Sequence, residues 1–424
     1  MTTAEDAQRA ERRRAIRAVV GGGGSRAAAF VVGNLLNVAA VGVLTRTLGD
    51  EYGRYTAVLS LITIVGIVSD LGLANLAVRE LADDRGGDHV PRYRALVALR
   101  AVLVVPAAVG MVVYGALAGF SASLLAGTAV AAVGLVVYSL HYSWNAVLQA
   151  ELQLHRLALI EGARQVLLGV LTIGLALAGA SAAVLVAVYL PLAITMAWVS
   201  ARAVRGTVPI APLFDRRVMR SLLRTASVFA VATTAAQMYA YLGQVVSDAI
   251  LDQTGSAEFA LSFRVITTAL GVAQTAISGA FAMMTRDARE DAATFRRTAR
   301  NTLAFAAGLG LAGAVTCLAA AGLIVDVLGP DFPGAAHVLR LHAFALPGAF
   351  CAMAGAMLLL AAHRARPAIA IAIGVLVLSL AATAVFSSLW GPRGAAGAAV
   401  LGETTAAVLY AIALLAPRRP GRSG

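Results

Sequence analysis

Apolar runs of about membrane-span length, most of them bounded by arginine, follow one another from residue 27 to residue 416 and leave little chain between them. A helix needs roughly 20 mostly apolar residues to cross the hydrocarbon core of a bilayer. The composition agrees, with 59% hydrophobic and 13% charged residues and a mean hydropathy of +0.80. The sequence predicts an all-α polytopic membrane protein. Its spans fall at 27–44, 55–78, 96–118, 122–150, 157–178 and 182–201, then at 226–251, 259–285, 303–328, 335–362, 367–389 and 395–416. This makes about twelve transmembrane helices in two six-helix lobes.

Every one of the 34 basic residues is arginine. Twenty-seven of them fall in segments on one side of this pattern, against Arg46, Arg54 and Arg393 on the other. The positive-inside rule then puts both termini in the cytoplasm, in a bacterial-type plasma membrane. The organisation expected is a cytoplasmic N-terminal segment at 1–26, an N-lobe at 27–201, a basic cytoplasmic linker at 202–225, a C-lobe at 226–416 and a cytoplasmic tail at 417–424. No cleaved leader is expected, because the charged N-terminus runs into a span-length stretch without a small-residue cleavage site. The Gly-rich run Gly21–Ser25 leaves its role open.

Six spans per lobe bring the second lobe into the membrane from the same side as the first, a parallel pseudo-repeat around a central cleft. A shift of 207 residues lays Gly53 on Ala260, Asn34 on Tyr241 and Asn37 on Gln244, so polar positions of the first span meet polar positions of the seventh.

Several functions are excluded. Without lysine there is no P-loop lysine to reach a nucleotide's phosphates and no Schiff-base amine. Cys317 and Cys351 sit in apolar runs as small core residues. The six histidines show no HExxH spacing, and no metal or cofactor is expected. The net charge of +12 is accounted for by the cytoplasmic segments, so nucleic acid is not an expected partner. Gly308, Gly310 and Gly313 spell GxGxxG inside an apolar helix with no preceding strand, a pattern better suited to close helix packing than to a nucleotide. Pro106, Pro191 and Pro347 fall inside spans, where a missing backbone donor permits bending.

Charge inside a span is expensive and marks a cavity or a partner. The charged positions are Asp70, Arg100, Glu161, Arg164, Asp248, Arg264, Asp326, Arg340 and Glu403. Arg100, Asp326 and Arg340 lie near span ends, where snorkelling accounts for them, and Glu161 with Arg164 has the spacing of an intrahelical ion pair, with a substrate contact as the equal alternative. Arg264 sits deeper, with no acid three or four positions away, and is the leading anion-binding candidate, with the helix-end Arg26 and Arg46 beside it. Asp70, Asp248 and Glu403 are candidates for binding a coupling proton or cation, with hydrogen bonding inside a lobe as the equal alternative for Asp70 and Glu403. Two polar stripes share the spacing i, i+4, i+7, i+11: Tyr138, Tyr142, Asn145 and Gln149, and Gln237, Tyr241, Gln244 and Asp248. Each lies along one helix face. Their phenols and amides, with Asn34 and Asn37, suit a wet cavity that hydrogen-bonds a sugar, and interhelical hydrogen bonding is the alternative.

The stretch LTRTLGDEYGRYTAVLSLITIVGIVSDLGLANLAVRELA from Leu44 to Ala82 resembles the signature region of the polysaccharide-transporter family. That family comprises flippases for lipid-linked oligosaccharides within the multidrug/oligosaccharidyl-lipid/polysaccharide exporter superfamily. GSAEFALSFR up to Arg264, VDVLGPDFPGAAHVLRLHAFALP from Val325 to Pro347, and GPRGAAGAAVLGE from Gly391 to Glu403 are similar to the family's second half, in matching order. The resemblance implies two six-helix lobes and transfer of a polyprenyl-diphosphate-linked glycan from the cytoplasmic to the outer leaflet, driven by an ion gradient or membrane potential. It implies cavity arginines on the diphosphate, a role carried onto Arg264 first and onto Arg26 and Arg46 after it. It also implies glycan-assembly enzymes as partners. Many relatives have fourteen spans where this chain shows about twelve, and no lysine role can transfer. A cation-coupled drug exporter on the same fold is the alternative reading. A membrane enzyme of glycan assembly would need a sizeable loop with an acid/base pair, and none is present.

Overall fold

A computed structural model of the chain describes residues 33, 36–73, 76–77, 81, 89–151, 153–207, 211–278, 284, 292–362 and 364–415. Among these it is all-helical. The helices are α1 (Leu36–Leu48), α2 (Glu51–Asp70), α3 (His89–Leu117), α4 (Ala122–Ala150), α5 (Leu154–Leu177), α6 (Ala182–Ala187), α7 (Tyr189–Ala203), α8 (Arg216–Ile250), α9 (Gln253–Ser278), α10 (Ala292–Leu328), α11 (Ala335–Ala343), α12 (Ala345–Ala361) and α13 (Ala365–Leu415).

Most are apolar around their whole circumference, as a lipid-facing helix must be. On α3, Leu96, Val97, Met111 and Ala108 are buried while Val102, Val105, Val109 and Val113 form an exposed aliphatic stripe. In water such a stripe would be an aggregation site, whereas against acyl chains it costs nothing. Seven helices among the described residues are long and apolar enough to cross a membrane, counting α6 with α7 as one, and the bent pair α11–α12 makes an eighth. The protein is a multi-pass membrane protein.

Helices α8 and α9, both expected as spans, are not among those seven, which are counted over the described residues alone. Both carry polar side chains mid-helix, Gln244, Ser247 and Asp248 on α8 and Ser262, Arg264 and Thr267 on α9. α8 also begins ten residues before the expected span, taking Arg216, Arg217, Arg220 and Arg224 out of the linker and into a helix, and α10 takes in Arg296, Arg297 and Arg300 in the same way. Hydropathy sees where a helix leaves lipid, not where it ends.

Three breaks follow the sequence's punctuation. α6 and α7 part at Val188, three residues before Pro191, and α11 and α12 part at Phe344, three residues before Pro347, with a 42° bend. A proline ring has no N–H for the carbonyl four residues back and crowds it. Pro106 stays inside an unbroken α3. α13 is 51 residues long, about 77 Å if straight, more than twice the hydrocarbon core. It folds back at Gly391, whose φ of 61° and ψ of −144° are open to glycine alone. The arms then run side by side, with Gly394 against Phe386 and Gly402 against Ser379.

The described residues divide into two compact units, one holding the chain up to Thr47 and Val65–Ala226, the other holding Leu48–Ile64 and the chain from Ser227 onward. Helix α2 thus contributes residues to both. In unit 1, α4 packs on α3, α6 and α7, over a core of Leu96, Trp144, Leu148, Leu192 and Met196. In unit 2, α12 is held by α10 and α13 around Leu346, Phe350 and Leu358. The GxGxxG run is a packing device. A Cβ on Gly310 would stand 2.6 Å from Pro347 Cα, so glycine is what lets α10 and α12 approach.

Candidate functional sites in the two units

Unit 1 buries a polar network where lipid-length helices should hold none. Glu161 on α5 is its centre. Its Oε2 accepts from Arg164 Nε at 2.8 Å, and its Oε1 accepts from Asn145 Nδ2 at 2.9 Å and lies 3.3 Å from His141 Nε2. His141 and Asn145 stand one turn apart on α4, and both reach Ser200 on α7. Ser200 Oγ donates to Asn145 Oδ1 at 3.1 Å and so accepts from His141 Nδ1 at 2.7 Å. That places a proton on Nδ1. His141 Nε2 then either accepts from Asn145, 3.2 Å away, or carries a second proton toward Glu161.

The expected intrahelical pair of Glu161 and Arg164 is therefore present, and it is only part of a three-helix cluster. Asn145, expected in a cavity, is buried, and Glu161 and Ser200 use its amide. It positions the cluster, which is the interhelical alternative for that member of the stripe. Tyr138 and Tyr142 meet edge to face at 5.2 Å, Tyr142 is 47% exposed, and Gln149 is exposed. Glu161 and Arg164 keep 31% and 22% of their side-chain surface. Charge left partly exposed between apolar helices faces water or a polar ligand, not hydrocarbon.

Arg100 corrects its expectation. It does not snorkel. Its side chain is 2% exposed, ion-paired with Asp70, and hydrogen-bonded through Nη1 to Ser143 Oγ at 3.2 Å. A guanidinium this deep needs a carboxylate partner. Asp70, expected as an ion-coupling acid or as a partner inside its lobe, is engaged as that partner.

In unit 2, Arg264 is half-buried on α9 just past the buried run Phe259–Phe263, close enough to Tyr52 and Tyr241 to act on both phenols electrostatically. Tyr241 packs edge to face on Phe263 at 5.8 Å. Asp248 accepts from Ser256 Oγ at 2.5 Å. Arg46 belongs to unit 1, where it lies exposed in the last turn of α1 and donates from Nη1 to the Gly42 carbonyl at 3.1 Å. Asn37 is half-buried. Arg26 and Asn34 lie outside the described residues, as does the Gln237 side chain. Gln244, expected on a cavity wall, is fully buried, and neither atom of its amide has a partner among the described residues.

A cavity of about 40 Å³ opens inside unit 2, lined by Tyr239, Phe259, His342, Ser379, Thr383 and Glu403 among others. It has room for water-sized ligands. Glu403, 6% exposed, is hydrogen-bonded by Tyr239 and leaves Oε2 unpartnered among the described residues. His342 is fixed by Ser262 at 3.0 Å and stacks on Phe259. Sequence reasoning missed His141, Ser200, Tyr239, Ser379 and His342. His141 carries a readable signal, standing three residues from Tyr138 and four from Asn145 on the stripe's own helix. The partners of the others come from helices distant in sequence.

The family described as "Polysaccharide biosynthesis protein" matches residues 43–332. The chain belongs to this family. Its fold is shared with solved transporters. The lipid II flippase MurJ in an inward closed conformation aligns with a TM-score of 0.74 at 12% identity, over 92% of this chain and 87% of that one. An inward-facing multidrug resistance MATE family transporter of the MOP superfamily aligns at 0.70 and 14%, over 90% and 93%. A MOP superfamily transporter from Pyrococcus furiosus, whose structure is described as having a binding pocket of reverse polarity, aligns at 0.60 and 14%, over 92% of each chain. No curated protein matches by sequence. At these identities the likeness shows the fold alone.

Proposed function

We propose that this chain is a flippase for a polyprenyl-diphosphate-linked oligosaccharide, moving it from the cytoplasmic to the outer leaflet of the plasma membrane for cell-surface polysaccharide assembly. The mechanism is alternating access between an N-lobe (27–201) and a C-lobe (226–416), with both termini in the cytoplasm, and no bond is made or broken. The observation that carries the reading is the match to a polysaccharide-biosynthesis family on a chain folded like membrane transporters.

Arg264 holds the diphosphate, and Arg26 and Arg46 are the further candidates for that role, since guanidinium is the side chain best matched to phosphate oxygens. The exposed Tyr142 and Gln149, with Tyr138, Tyr241, Asn34, Asn37 and Gln237, face the sugar. Of the three coupling candidates, Asp70 and Asp248 already have partners. Glu403, with a carboxylate oxygen to spare, is the acid that takes up the coupling proton or cation.

The test is binding of a polyprenyl-diphosphate sugar to protein in nanodiscs. Arg264→Ala weakens it by about tenfold or more, as loss of a charge-assisted hydrogen bond to phosphate would, while the exposed Arg340→Ala leaves it near wild type. Equal, negligible effects of both would remove Arg264 from the site. The MATE-like fold supports a second reading, a cation-coupled drug exporter, and binding of lipophilic cations in place of the diphosphate lipid would favour it.

A further inference from the structure

Nine buried side-chain atoms lack a hydrogen-bond partner among the described residues, and six of them belong to unit 2, on α8 and the two arms of α13. They are both amide atoms of Gln244, the hydroxyls of Ser247, Ser379 and Ser387, and Glu403 Oε2. The geometry lines them up. Gly243 on α8 stands against Thr383 on α13, with 3.7 Å from a built Cβ to Thr383 Oγ1. One turn away in one direction, Tyr239 and Ser379 line the cavity together, and Tyr239 bonds Glu403. One turn away in the other direction lie Ser247 and Ser387. The second arm of α13 closes the seam, with Gly402 on Ser379 at one level and Gly394 beside Phe386 and Ser387 at the other. The seam therefore runs from Glu403 to the helix ends at Ile250 and Gly391, about 18 Å for the twelve residues from Ser379.

Buried polar groups in folded proteins are satisfied by protein or by bound water, and six orphaned atoms in one row are too costly to leave dry. We infer that unit 2 holds a file of bound water along α8 and both arms of α13, ending in the cavity at Glu403 and connecting that carboxylate with bulk solvent at the Ile250–Gly391 end. This deepens the role given to Glu403 above, because an acid sealed in the bilayer can exchange a proton only if water reaches it.

The test is X-ray radiolytic labelling of the protein in nanodiscs, in which hydroxyl radicals made from bound water modify side chains beside it. Phe259 and Phe263 line the cavity, whereas Phe350 is as deeply buried in the apolar core away from it. Phe259 and Phe263 label about fivefold or more faster than Phe350, as groups within reach of internal water do. Ser387→Val, which fills the seam with a methyl, cuts that excess several-fold and leaves Phe350 unchanged. Ser379→Ala, a smaller change, lowers it partially. Labelling of Phe259 and Phe263 no faster than that of Phe350 in the wild type overturns the inference without any variant. So does an excess that Ser387→Val and Ser379→Ala leave intact. The readout is indifferent to the transported substrate, so failure of the flippase reading and failure of the water file are separately visible.

Discussion

Glu161 shows how much one carboxylate can organise between apolar helices. Arg164, Asn145 and His141 all converge on it, so its removal strands donors from two helices at once. Glu161→Ala is expected to lower stability by about 1–3 kcal/mol, the cost of leaving partly buried polar groups unpaired. Glu161→Gln, which keeps an acceptor for Asn145, costs less, and thermal unfolding in one detergent orders the two. Asp70 and Arg100 allow a cleaner measurement. Asp70→Asn leaves the buried Arg100 uncompensated, at about 3 kcal/mol, whereas Arg100→Met leaves Asp70, 37% exposed, and costs less. The double variant recovers much of that loss, and a double-mutant cycle reads the coupling. Additive losses would mean the pair is not what keeps Arg100 inside. Neither the Asp70–Arg100 pair nor the His141–Ser200 contact was legible in the sequence, because their partners lie 30 and 59 positions apart on separate helices. The Glu161–Arg164 pair was legible because three positions along a helix is a contact by geometry alone.

At the scale of the element, most of the fold could be read in advance, and the misses share one cause. Span-length apolar runs, Pro191, Pro347 and Gly391 mark where helices cross, bend and turn back, since each acts through the backbone it belongs to. The N-terminal ends of α8 and α10 were not legible, because arginine is a good helix former in water and hydropathy reports only the lipid boundary. Gly310 tests the packing reading. Gly310→Val forces atoms into Pro347 across the α10–α12 contact and is expected to cost about 1–3 kcal/mol by overpacking. Gly308→Val, where no neighbour stands within 4 Å of the built Cβ, is expected to be near neutral. Comparable losses at both would point to helix propensity instead of close approach.

For the whole molecule, the family match and the fold support a multi-pass membrane transporter, and the function proposed for it is movement of an anionic lipid-linked glycan. The arginine asymmetry predicts topology, so reporters fused at both termini read cytoplasmic, and a cysteine placed beside Arg54 or Arg393 reacts with an impermeant thiol reagent from outside. The central claim is tested most directly by the leaflet distribution of lipid-linked oligosaccharide, read with an impermeant probe in cells lacking the protein and in cells with it restored. The account predicts accumulation on the cytoplasmic side, reversed by the wild-type chain and not by Arg264→Ala. An unchanged distribution, with altered sensitivity to lipophilic cations in its place, would contradict it.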